Sequence, residues 1–187
     1  LAIIKPIEMS QKTRGQCTKT LNKNQMQMVS NHLRDGRNGL RNQTIFLLSV
    51  KSGLRAKEIS QLSWKEVCNS DGEVDTQISL TDQTSKGKSG RVIPLHKNVR
   101  ENLIELLERH RKYYAFNINT SFIVRTERSP FTISQTIINM FQKWYRTLGL
   151  IGCSSHSGRR TFITETSKKI SLVGGSLRDV SKNPRAV

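Results

Sequence analysis

The sequence predicts a mainly helical α+β domain carrying one small antiparallel β-hairpin. Two observations predict it. Apolar residues recur at spacings of three and four over most of the chain, the period of an amphipathic helix. Between residues 76 and 95 the period drops to two around a glycine-rich turn, as in a hairpin.

Residues 1–19 are polar and basic, with no helical period, and read as an arm or linker. A first helix is expected from about Leu21, with Met26, Val29 and Leu33 on one face and Gly36 ending it. A more apolar helix follows from Leu40 to Lys51, closed by Gly53. A short one runs from Ala56 to Leu62, with Trp64 after it. Asn69-Ser70-Asp71-Gly72 is a turn signal. Thr76 to Asp82 and Arg91 to Leu95 are the expected strands, separated by the basic turn Lys86-Gly87-Lys88-Ser89-Gly90. A long helix is expected over Val99–Tyr114, a short strand over Phe122–Val124, and a helix over Ser134–Leu148. Ser154 or Ser155 is expected to cap a helix carrying His156, Arg159, Arg160, Phe162 and Ile163. A last helix starts near Ser176. Trp64 and Trp144 fall on apolar faces and read as core. His32, His96 and His110 read as surface or structural.

Composition narrows the function. The 187 residues hold 31 Lys and Arg against 14 Asp and Glu, a formal net charge of +17. Such a surplus favours a polyanion that releases counterions on binding, which makes nucleic acid the default partner. No run of about 18 apolar residues exists, so no membrane span is expected. Leu1 to Ser10 lacks the apolar core of a secretory signal. Cys17, Cys68 and Cys153 are odd in number and scattered, which argues against a disulfide scaffold. No Cys/His spacing suits zinc, and Lys86–Gly90 lacks the spacing of a Walker-type phosphate loop.

Three places put basic or imidazole groups beside structural punctuation. Arg55 lies where one helix ends and the next begins, and Glu58 sits three residues on, able to orient it. A guanidinium there offers a rigid fork of donors suited to phosphate. Lys86 stands in the hairpin turn, where an ammonium could reach into a groove and give up a proton. His156 and Arg159 share one face of a helix start, whose amide groups favour an anion. Taken singly, each has an ordinary reading as a surface ion pair, a solvated turn lysine or a chance pair in a basic chain.

Their order and spacing carry more weight. Gly-Leu-Arg-Ala-Lys-Glu-Ile-Ser-Gln-Leu-Ser-Trp (53–64), Ser-Lys-Gly-Lys-Ser-Gly-Arg-Val-Ile-Pro-Leu (85–95) and His-Ser-Gly-Arg-Arg-Thr-Phe-Ile-Thr (156–164) together resemble the tyrosine recombinase or phage-integrase family. The likeness covers the catalytic domain, taken here as residues 20–180. The resemblance implies a helical catalytic domain with a small antiparallel sheet that breaks and rejoins DNA in site-specific recombination or integration. It implies that Arg55 and Arg159 are the two catalytic arginines and that Glu58 supports the first. It implies that Lys86 protonates the leaving 5′-oxygen and that His156 acts beside the attacking oxygen. No cofactor or metal is implied, because the arginines would stabilise the charge that builds on the phosphate.

The chain departs from the family's pattern after Arg159. The family's nucleophilic tyrosine, and the Gly-His segment before it, should follow the second arginine. Only 28 residues do, and none is Tyr or His. Tyr113, Tyr114 and Tyr145 all precede His156, in helices that read as structural. The expectation is a partial catalytic domain with a non-homologous tail at 181–187. It would bind double-stranded DNA without cleaving it, unless other recombinase protomers supply the tyrosine in trans. A cytoplasmic, DNA-associated protein is expected. The alternatives are a non-catalytic DNA-binding protein, an inert remnant of a mobile-element integrase, or a basic RNA-binding protein.

Overall fold

A helix that is apolar on almost every side has to be surrounded, and residues 39–52 form such a helix. The computed structural model describes residues 19–81 and 90–172. Within them the elements run α1 (Lys23–Asp35), α2 (Gly39–Ser52), α3 (Ala56–Gln61), a 3-10 turn (Trp64–Glu66), β1 (Gln77–Leu80), β2 (Arg91–Pro94), α4 (Lys97–Arg111), α5 (Ser134–Thr147) and α6 (Ser157–Leu172). The arm, the hairpin turn with Lys86 and the helix expected near Ser176 lie outside the described residues.

α2 is the axis of the fold. Leu40, Ile45, Phe46, Leu47, Leu48 and Val50 are all buried, and α1, α3, α4 and α6 pack around it. α1 is fixed at its start by a reciprocal cap. The Asn22 Oδ1 accepts from the Gln25 N–H at 2.9 Å, and the Gln25 Oε1 accepts from the Asn22 N–H at 3.0 Å. The Leu21 N–H donates to the Thr161 Oγ1 at 2.8 Å, tying this end to α6. β1 and β2 pair antiparallel with Ile78 opposite Ile93 and Leu80 opposite Arg91. Ile78 and Leu80 face the core while Ser79 faces out, as period two requires.

The boundaries differ from the sequence expectation for local reasons. α4 begins at Lys97 because His96 caps it, its Nδ1 accepting from the Asn98 N–H at 3.3 Å. It ends at Arg111, so Tyr113 and Tyr114 lie in the following turn and not in the helix. Phe122–Val124 forms no strand. It makes a single bridge, Ser63 with Phe122, and the Ile123 N–H donates to the Leu62 carbonyl at 2.9 Å. α6 starts later than expected, while Ser154 still caps the turn before it, its Oγ accepting from the His156 N–H at 3.2 Å. The helix begins at Ser157, and His156 precedes it. Among the described residues no helix is long and apolar enough to cross a membrane.

Trp64 is fully buried, as its apolar setting implied. Its indole N–H donates to the Nδ1 of His110 at 3.0 Å. His110 is only 4% exposed. Burial, helped by the charge of Arg125, pushes its pKa down to about 4. Above about pH 6.5 the imidazole is neutral in both folded and unfolded chains. As pH falls toward 4 the unfolded chain takes up a proton that the folded one refuses, so stability falls through that window. The loss amounts to roughly 3 kcal/mol at most. Urea midpoints at pH 7 and pH 4.5 should drop more for the wild type than for His110→Asn. Equal drops would contradict this.

Candidate functional site

The site starts where α2 stops. Gly53 adopts φ +65°, and its N–H turns back to the Leu48 carbonyl. A side chain is disfavoured at that φ. A Cβ there would also lie 2.4 Å from the Phe162 Cδ1 of α6. The chain then buries Leu54 and enters α3 through the extended residue Arg55. Arginine has no acceptor, so it cannot cap the helix with its own side chain. Glu58 provides the closure instead. Its Oε2 accepts from the Arg55 N–H at 2.7 Å, and its Oε1 from the Arg55 Nη1 at 3.0 Å.

Glu58 also reaches across to the hairpin. The Arg91 Nη2 donates to its Oε2 at 2.9 Å. The Glu58 side chain is 2% exposed, while those of Arg55 and Arg91 are 35% and 29% exposed. A buried carboxylate is tolerable because it is surrounded by donors. It locks one guanidinium at the α2–α3 junction and another at the start of β2.

The third guanidinium arrives on α6. Two glycines let α6 approach α2 closely. Gly53 accommodates Phe162, and a Cβ on Gly158 would fall 2.3 Å from the Ser49 Oγ. This contact sets the height of Arg159, whose Nη1 donates to the Gly53 carbonyl. Burial is the first cause of a lowered pKa at Arg159. The charges of Arg55 and Arg91 add to it, and Glu58 opposes them. Arginine nonetheless stays charged in proteins. Arg55 and Arg91 are therefore both near enough for their charges to act on Arg159.

Arg55, Glu58 and Arg159 thus come together from residues distant in sequence. His156 stands exposed in the turn before α6, with its carbonyl accepting from the Arg160 N–H. Lys86 lies outside the described residues. From the sequence Arg91 is only the first residue of an expected strand. Its partner, Glu58, is 33 positions away, and only the fold brings them together. The three tyrosines sit in α5 or in the turn after α4. Tyr145 is 1% exposed, and its hydroxyl has no hydrogen-bond partner among the described residues. Burial raises its pKa. Arg125 lies over the ring of Tyr113, 4.1 Å from its centre. Tyr114 is fully exposed beyond α4. Cys68 is held as a thiol, because burial pushes its pKa up to about 11. Among the described residues no three His, Cys, Asp or Glu side chains gather where they could hold a metal ion.

Chemically, planar cations with donors left over suit a tetrahedral oxyanion, since guanidinium forks pair with its oxygens. Solved structures share this fold. XerA recombinase aligns at 16% identity and TM-score 0.69, over 90% of this chain and 56% of its own. The Tn1549 transposon integrase in complex with circular intermediate DNA aligns at 14% identity and TM-score 0.60, over 95% and 57%. XerH site-specific recombinase bound to difH substrate aligns at 19% identity and TM-score 0.63, over 87% and 49%. The chain therefore spans about half to three fifths of these relatives. No curated protein matches it in sequence. The model of the phage integrase family matches residues 19–171, which include all three arginines. This chain belongs to that family, the tyrosine recombinases.

Proposed function

We infer that this domain grips duplex DNA at a single backbone phosphate and serves strand breaking and rejoining in site-specific recombination or integration. The observation that carries the reading is the pairing of Arg55 and Arg159. The buried Glu58 fixes one, the Gly53 carbonyl fixes the other, and both are half-buried and near enough for the charge of one to act on the other. Guanidiniums held before the substrate arrives need no reorganisation as charge builds on the phosphate oxygens. In this reading Lys86 gives a proton to the leaving 5′-oxygen, and His156 attends the attacking oxygen. The nucleophile comes from outside these 187 residues, either on another protomer or on a longer form of the chain. These residues alone bind DNA and leave it uncut.

A suicide duplex that traps covalent intermediates tests this. The wild-type chain should shift the duplex and form no covalent adduct. Arg55→Ala and Arg159→Ala should each weaken binding roughly tenfold, the order expected for losing a hydrogen bond to a charged group. A tyrosine-linked adduct formed by these residues alone would overturn the claim that they lack the nucleophile. Unchanged affinity in both variants would overturn the phosphate clamp and favour a basic protein that binds DNA elsewhere on its surface.

A further inference from the structure

Two arginines do not account for the electrostatics around Glu58. Arg91 brings a third positive charge to a place where one carboxylate already serves Arg55. Three guanidiniums against Glu58 leave a local surplus of two positive charges. All three side chains are at least partly buried. At Arg159 burial first, and then the charges of Arg55 and Arg91, disfavour the cation. A second cation is not needed to hold Glu58, which already accepts from the Arg55 backbone and side chain. Among the described residues Arg91 makes one side-chain hydrogen bond, the Nη2 contact to Glu58. A guanidinium has five N–H donors, so most of its fork remains available. Like charges gathered in a half-buried place are destabilising by themselves, and such local conflicts concentrate at functional sites.

We propose that Arg91 is a phosphate-binding residue of this site, contacting with its free donors the same DNA phosphate that Arg55 and Arg159 hold. The inference rests on the reading that those two arginines bind a phosphate. Its position adds a consequence. Arg91 opens β2 and lies five residues beyond Lys86 in the sequence. Phosphate contact at Arg91 therefore seats the start of β2 on the DNA backbone, and Glu58 links that seat to Arg55.

The test is the salt dependence of binding to a short labelled duplex. Each phosphate neutralised contributes about 0.9 to the slope of log K against log salt. Arg91→Gln should lower the slope by a measurable part of that amount, since Arg55 and Arg159 still face the same phosphate, and weaken binding about tenfold at fixed salt. Arg91→Lys should keep the slope. A group that only steadies Glu58 would leave the slope untouched, whatever it did to stability. If Arg55→Ala and Arg159→Ala lower the slope while Arg91→Gln does not, this proposal fails and the two-arginine clamp stands. If none of the three lowers it, both fail. A measurement on the wild-type protein guards against misfolded variants. The Nε–H signal of Arg91, assigned through Arg91→Lys, should shift as duplex is added. An unmoved Arg91 signal beside shifting signals from Arg55 and Arg159 would overturn the proposal.

Discussion

Glu58→Ala should destabilise the folded protein more than any exposed charge change, by about 3–5 kcal/mol. The carboxylate is 2% exposed and accepts from Arg55 twice and from Arg91 once. Truncation leaves the Arg55 N–H without its cap and two partly buried guanidiniums facing each other across a void. At this size about 1 kcal/mol moves the thermal midpoint by about 2–4 °C, so a drop of roughly 6–20 °C is expected. Glu58→Gln keeps the shape and can still accept from the Arg55 N–H, so its loss should be smaller. By contrast, Glu127 pairs with Arg37 in an ion pair whose side chains are 57% and 81% exposed, and removing it should change little. If Glu58→Ala and Glu127→Ala shift the midpoint equally, the Glu58 cluster is no more than surface charge.

Gly53→Ala should be nearly as damaging, and for two separable reasons. At φ +65° an L-residue pays roughly 1 kcal/mol or more for its Cβ. That Cβ would also sit 2.4 Å from the Phe162 ring, so α6 must move or Phe162 must leave its place. Overpacking of this kind costs about 1–3 kcal/mol, which puts the total at roughly 2–4. Because Arg159 rests on the Gly53 carbonyl, a displaced α6 also carries Arg159 away from Arg55. Duplex affinity should therefore fall along with the thermal midpoint. Adding Phe162→Ala should relieve the clash but not the backbone strain. In the double variant, Gly53→Ala should then cost only about 1 kcal/mol relative to Phe162→Ala alone. A full penalty there would place the damage in the backbone and not in the contact with α6.

The parts of the fold with strong periods were legible in the sequence. α2, α4 and α5 announce themselves through apolar spacing, and β1 and β2 through alternation around a glycine-rich turn. End points were less legible, because caps decide them. His96 starts α4 earlier than its first apolar residue does, and His156 precedes α6 where a helical position was expected. His110 read as surface or structural, and it proves structural, buried against Trp64. Only tertiary contact could tell the two apart. At the site, Arg55 and Glu58 were readable as neighbours because they are three residues apart at a helix start. The glycine of His-Ser-Gly-Arg was readable only as part of a motif. In the fold, Gly158 is where α6 touches Ser49 of α2, and that contact sets the position of Arg159. Arg91 was illegible because nothing local distinguishes it from any arginine opening a strand. Its meaning comes from a carboxylate on another element.

The most direct measurement is a double-mutant cycle on duplex affinity with Arg55→Ala, Arg159→Ala and the pair, at one salt concentration. If both guanidiniums hold one phosphate, losing either already releases it. The double variant should then lose less than the sum, with a coupling of about 1 kcal/mol or more. Losses that add to within about 0.3–0.5 kcal/mol would mean that the two arginines serve separate contacts, and the shared phosphate would be wrong.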